Sequence, residues 1–210
     1  MPLIFEKPEA PQSILPFQGF PVEVKLGSSS AVLYGDVHSS TLVTSYLQLA
    51  LLEKLPVYHV SVGGSYSPGA MEKLGKNLSE FYFGRAYSLS EIADAVSSIE
   101  EGSAVFISGF SLLPDLSPKG ILELVDLADG RGLTLVLSHF SLSLNELDLP
   151  GEFRSHFYVP EIFDYLLVAR TSSYRGHYRL NLSILKAPSE YLGRIGDHSI
   201  QVDGLIKPLL

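Results

Sequence analysis

The chain contains no cysteine among its 210 residues. That excludes a disulfide framework and a thiolate zinc site, and gives no sign of a secreted chain. No basic patch leads into an apolar run after Met1, so the sequence predicts no secretory leader. It also lacks a membrane-length run of about 18 uncharged apolar residues. The longest apolar helical pattern is interrupted by Ser45, Gln48 and Glu53. The expectation is a soluble, cytoplasmic protein that does not span a membrane. Positive charge is in short supply as well: 15 lysines and arginines stand against 23 acids, for a net charge of −8. Non-specific affinity for DNA or RNA comes from cations that displace phosphate counterions, so this balance disfavours tight binding of that kind. One region departs from it, because Arg170, Arg175, Arg179, Lys186 and Arg194 face only Glu190 between residues 170 and 194. Arg170, Arg175 and Arg179 are the candidate nucleic-acid contacts.

What is present is apolar: 46% of residues are hydrophobic, which at this length predicts a folded core in one domain. Residues 1–21 carry Pro2, Pro8, Pro11, Pro16 and Pro21 without periodicity. They predict an extended arm that either packs on its own domain or docks on a partner through Phe5, Phe17 and Phe20. Residues 22–210 predict a single domain. Strands are expected at residues 22–26, 31–34, 57–62, 81–86, 104–108 and 133–137. Helices are expected between them: from a Ser39 or Ser40 cap to about 54, from Ser67-Pro68, over 88–99, and from Ser117-Pro118 to about 128. Apolar strands separated by helices imply an α/β fold, a mostly parallel sheet covered on both faces. Residues 138–160 read as a loop. Residues 163–171 and 178–186, around Gly176, then alternate like an antiparallel pair, with a last strand at 200–202.

The segment Gly35-Asp36-Val37-His38-Ser39-Ser40-Thr41-Leu42 follows a strand and opens an apolar helix, the setting of a phosphate-binding loop. Such a loop needs a lysine against the phosphates and a hydroxyl for magnesium. Thr41 and Leu42 occupy those two places, and Ser40 stands where a second glycine belongs. The chemistry of nucleotide binding is missing from its own scaffold. His38 and His139, with Asp36, form a conceivable acid/base or metal group, but the six histidines show no ligand spacing, so no metal is expected. Ser108 or Ser111 with His139 and Asp115 resembles a hydrolase set without the Gly-x-Ser-x-Gly turn that such serines need.

In order, these elements resemble the RecA/RadA recombinase superfamily, most closely the archaeal RadB-like members. The resemblance spans residues 30–205 and rests on Leu33-Tyr34-Gly35, Leu47-Gln48-Leu49-Ala50, Gly64-Ser65-Tyr66-Ser67-Pro68, Arg85-Ala86-Tyr87-Ser88 and Lys186-Ala187-Pro188. It implies a RecA-like sheet with a C-terminal antiparallel extension. It also implies where charges should stand and do not: Val62 or Gly63 replaces the water-activating acid, and Ser108 replaces the magnesium-binding aspartate. The DNA-facing loops are equally poor in base, with Lys119 alone in residues 110–120. Residues 141–160 set Glu146, Asp148 and Glu152 against Arg154. Phe83-Gly84-Arg85-Ala86 matches the family's Phe-x-x-Ala docking pattern but lies in a predicted strand, where core packing explains it better. The resemblance implies a non-catalytic pseudo-ATPase without cofactor that works through a protein partner or homo-oligomer. The alternative is a nucleic-acid-binding accessory in recombination or DNA repair.

Overall fold

The computed structural model describes residues 12–64, 69–75 and 78–210. A short antiparallel pair, β1 (Ser13–Ile14) and β2 (Val24–Lys25), precedes an eight-stranded sheet. The sheet contains β3 (Ser29–Tyr34), β4 (Val57–Val62), β5 (Phe81–Ala86), β6 (Ala104–Ser108), β7 (Thr134–Phe140), β8 (Tyr165–Tyr174), β9 (His177–Lys186) and β10 (Gly196–Gln201). Their spatial order is β10-β9-β8-β3-β7-β6-β4-β5. Every pairing from β5 to β8 is parallel, and β9 runs antiparallel to both β8 and β10. The fold is therefore α/β with a mostly parallel central sheet. Its helices are α1 (Val37–Leu52), α2 (Gly69–Lys73), α3 (Leu89–Ser98), α4 (Pro118–Gly130), α5 (Leu149–Phe157) and α6 (Asp203–Ile206).

The pleat sends alternate residues of each strand to opposite faces, and two apolar cores result. Val32 and Tyr34 join Phe106, Val136, Leu167 and α1 residues Leu42, Val43, Leu47 and Leu51 in one core. Ala31 and Leu33 join Val105, Ile107, Leu135, Leu137 and residues of α3, α4 and α5 in the other. Both faces of the central strands are dry, which explains their unbroken apolar runs. α1 is buried over much of its surface, as its wide apolar belt predicts.

Several expectations need correction. α1 is capped by Asp36, whose side chain accepts the Ser39 N–H, rather than by Ser39 or Ser40. Residues 138–160 are not one loop, since β7 continues to Phe140 and α5 occupies Leu149–Phe157. The hairpin strands extend to Tyr174 and begin again at His177, and the last strand is Gly196–Gln201. Phe17 and Phe20 are buried with Ile14, Val22 and Val24 in the α1-side core, so the described part of the arm packs on its own domain. Phe5, Ser67 and Pro68 lie outside the described residues. No helix among the described residues is long and apolar enough to cross a membrane.

Candidate functional site

In a parallel sheet ligands bind beyond the carboxyl ends of adjacent strands whose helices leave to opposite faces. β3 and β7 are such a pair, because α1 packs on one face and α5 on the other. Here the crevice is drawn shut at its base. The Ser141 N–H donates to Tyr34 O at 2.9 Å, which continues the β3–β7 pairing past the end of β7.

Only Gly35 and Asp36 separate β3 from α1. Val37, His38, Ser39, Ser40 and Thr41 are already helical, so no loop remains to wrap a phosphate. The anion position at the helix start is taken by the chain's own carboxylate. Asp36 Oδ1 accepts the Ser39 N–H at 2.8 Å and the Thr171 hydroxyl at 2.6 Å, and Oδ2 accepts the Thr171 N–H at 2.6 Å. That carboxylate satisfies helix-end donors and suits the positive pole of the helix dipole. Ser39, fully buried, donates its hydroxyl to Ala169 O at 3.0 Å, and the Gly35 N–H donates to the same carbonyl at 3.0 Å. The turn is thus riveted to β8.

Gly35 has a packing reason to be glycine. A Cβ there would lie 2.4 to 2.8 Å from the Nε, Cγ and Cδ of Arg170. Arg170 crosses the turn, pairs with the Glu146 carboxylate and donates from Nη2 to Leu144 O at 3.1 Å. This places Arg170 as an internal clamp between β8, the α1 turn and the loop after β7. Arg175 sits at the tip of the β8–β9 hairpin with its guanidinium 5.0 Å from the Tyr174 ring, and Arg179 is exposed on β9. Of the three candidate contacts, the last two are exposed and Arg170 is partly buried. A groove of about 470 Å³ beside Arg170 is lined by Glu146, Asp197, His198 and the amide and hydroxyl groups of Asn181, Ser183 and Ser199. Its two acids offset its one arginine.

On the α1 face, Ser61, Ser108 and Ser138 are register partners across β4, β6 and β7, and all three are buried. They form a polar row in an otherwise apolar interface. His59, 1% exposed, links α1 to this row: Gln48 Nε2 lies 2.5 Å from Nδ1, and Nε2 lies 2.9 Å from Ser108 Oγ. With Gln48 donating, the remaining imidazole N–H donates to Ser108, which is the wrong polarity for activating that serine. Burial lowers the His59 pKa to about 3. Val62 ends β4 buried and Gly63 follows it in the left-handed region at φ 61°, so neither brings a carboxylate to the edge.

Ser111 and His139 do meet, with Ser111 Oγ 2.5 Å from Nδ1. The expected third member does not join them, because Asp115 accepts the Leu89 N–H at the start of α3 at 2.8 and 2.9 Å. His139 instead stacks on His156 of α5 at 4.0 Å between ring centres, and His156 Nε2 lies 3.6 Å from Glu152. Burial first, and the neighbouring His156 second, lower the His139 pKa to about 4. An imidazole so depressed is a weak base for drawing a proton from serine. His38 is exposed on the first turn of α1. No cluster of three or more metal-ligating side chains occurs among the described residues.

Thr171, His59, Gln48 and His156 are the site residues that sequence reasoning missed. Their roles come from tertiary packing of strands and helices rather than from a local pattern; Asp36 and Thr171 are 135 positions apart. No protein-family model matches this chain, and no curated protein matches it.

Proposed function

We infer that the chain is a RecA-like pseudo-ATPase of the RadB-like kind, a structural or regulatory module that acts by binding protein, with an active RecA-family ATPase as the candidate partner. The observation that carries this reading is Asp36. Its carboxylate sits at the start of α1, held by Ser39 and Thr171, where a nucleotide phosphate would have to go. Like charge repels like, and the two-residue turn offers no amide cradle to compensate. The neutral Ser108 and the missing acid at residues 62–63 are consistent with the same loss. Phosphoryl transfer depends on such groups for electrostatic stabilisation of its transition state.

Calorimetric titration of the purified chain with magnesium-ATP tests the reading, and no heat of binding is expected. Micromolar affinity, together with magnesium-dependent hydrolysis that Gly35→Asp abolishes, is the result that sinks it. A second reading, a nucleic-acid accessory, draws on Arg175 stacked over Tyr174 at an exposed hairpin tip and on Arg179 nearby. It requires salt-sensitive binding to single strands that is lost in the Arg175→Ala/Arg179→Ala double variant. Absence of binding at low salt removes it.

A further inference from the structure

Among the described residues β5 is the last strand of the sheet on its side, and its ladder runs to β4 alone. Its outer row of N–H and C=O groups faces no strand among the described residues. Natural sheets protect such an edge with charged side chains, lysine above all, with proline or with a bulge. Residues 81–86, Phe-Tyr-Phe-Gly-Arg-Ala, hold no lysine, acid or proline and only one charge, Arg85, and the β4–β5 register runs without a shift. The other edge strand, β10, carries Asp197 and His198. Tyr82 is 45% exposed and Phe83 38%, so the expectation that Phe83 is explained by core packing does not hold. Only Ala86 of the Phe-x-x-Ala segment is buried.

We propose that this edge pairs antiparallel with β5 of a second copy, joining two sheets across a two-fold axis. The proposal rests on the protein-interaction reading above and names the occupant. A two-fold perpendicular to the sheet keeps each face on its own side, so residues of equal parity stand opposite one another. Two registers satisfy this at the centre of the strand. Centred on Phe83, that ring meets its own copy, Tyr82 meets glycine 84 and Phe81 meets arginine 85 of the second chain. Centred on Gly84, the glycines meet, Phe83 meets arginine 85 and Tyr82 meets alanine 86. Each register sets every aromatic ring against a ring, a cation or a small residue, and neither brings like charges together. The strand is complementary to itself, and the pairing closes after two copies.

Charge adds a signature. Each copy carries a net charge of −8. The two chains repel at long range while the contact itself is apolar and hydrogen-bonded, so added salt strengthens the dimer. An interface built on ion pairs would weaken instead.

Sedimentation equilibrium of the full chain is expected to show a monomer–dimer equilibrium that shifts toward dimer as salt is raised. The Phe83→Lys/Gly84→Lys double variant sets lysine against lysine at the centre of either register and should raise the dissociation constant about tenfold or more. A Cβ at Gly84 meets nothing within 4 Å and Phe83 is 38% exposed, so the fold tolerates both changes. Because the chain has no cysteine, Gly84→Cys and Phe83→Cys report this contact without background. Mild oxidation should give a disulfide-linked dimer from at least one of them and none from Ser199→Cys on β10. A monomer at every concentration overturns the proposal, and so does a dimer indifferent to the Phe83→Lys/Gly84→Lys double variant. The outcome is separate from the nucleotide titration: a monomer that binds no ATP defeats the pairing and leaves the pseudo-ATPase reading standing.

Discussion

His59 lies between Gln48 and Ser108 with 1% of its surface exposed, and burial lowers its pKa to about 3. His139, 9% exposed and stacked on His156, is lowered to about 4. In the unfolded chain both imidazoles titrate near the ordinary value of about 6.5. Below that pH the unfolded chain takes up protons that the folded chain refuses, so the native state loses ground. The loss begins near 6.5 and is complete at about 4 for His139 and about 3 for His59. Between pH 6.5 and 5 each contributes roughly 2 kcal/mol, about 1.5 units at about 1.36 kcal/mol per unit. Urea unfolding at pH 7 and pH 5 should show this fall in stability. His139→Asn and His59→Gln should each remove their share of the pH dependence, whatever they do to stability at pH 7. An unchanged slope in both variants would mean that neither imidazole is held neutral.

The α1 turn shows how elements two strands apart in function are held by single side chains. Arg170 lies against Gly35 and grips Leu144 O and Glu146, so it joins β8, the α1 turn and the loop before α5. Gly35→Ala forces a methyl group into that arginine and should cost about 2 kcal/mol, as overpacking does. Arg170→Ala removes the obstacle along with its own bonds. The double variant should therefore be more stable than the sum of the two single losses predicts, by about 1 kcal/mol, in a double-mutant cycle read by urea unfolding. Strict additivity would show that Gly35 is not there for Arg170. From sequence, Gly35 looks like the remnant of a phosphate loop, because the side chain that explains it is remote in the chain. The same limit applies to α5. Its start at Leu149-Pro150-Gly151 has poor helix formers, and only Phe153 and Phe157, four apart and both fully buried, mark its inner face. The strands at 57–62, 81–86 and 104–108 were legible because each is a short run rich in β-branched or aromatic residues that ends at a turn or cap signal. The pairing Asp36–Thr171 and the histidine networks were not, since they arise from sheet order.

At the scale of the whole molecule, the sheet is closed on one face partly by its own N-terminal segment. Ile14, Phe17, Phe20, Val22 and Val24 are all buried in the α1-side core, and Phe17 packs edge-on against Phe20 at 5.2 Å and Tyr46 of α1 at 5.8 Å. Tyr165 of β8, fully buried, anchors this segment by donating its hydroxyl to Glu23 O at 2.9 Å and accepting the Lys25 N–H at 3.2 Å. A partner-docking arm would leave these aromatics free, and losing one would spare the fold. An integral layer predicts the reverse. Phe20→Ala should destabilise the domain by about 3 kcal/mol or more, as deletion of a buried phenyl ring does. Tyr165→Phe keeps the ring and leaves a part-buried carbonyl and amide short of a partner, at a cost of about 1 kcal/mol. Both losses should appear as one cooperative shift in the urea midpoint monitored by far-UV circular dichroism, because the segment and the sheet share a core. A separate early transition, or a midpoint unmoved by Phe20→Ala, would show that the segment folds onto the sheet without supporting it. In that case Phe17 and Phe20 would return as candidates for docking a partner.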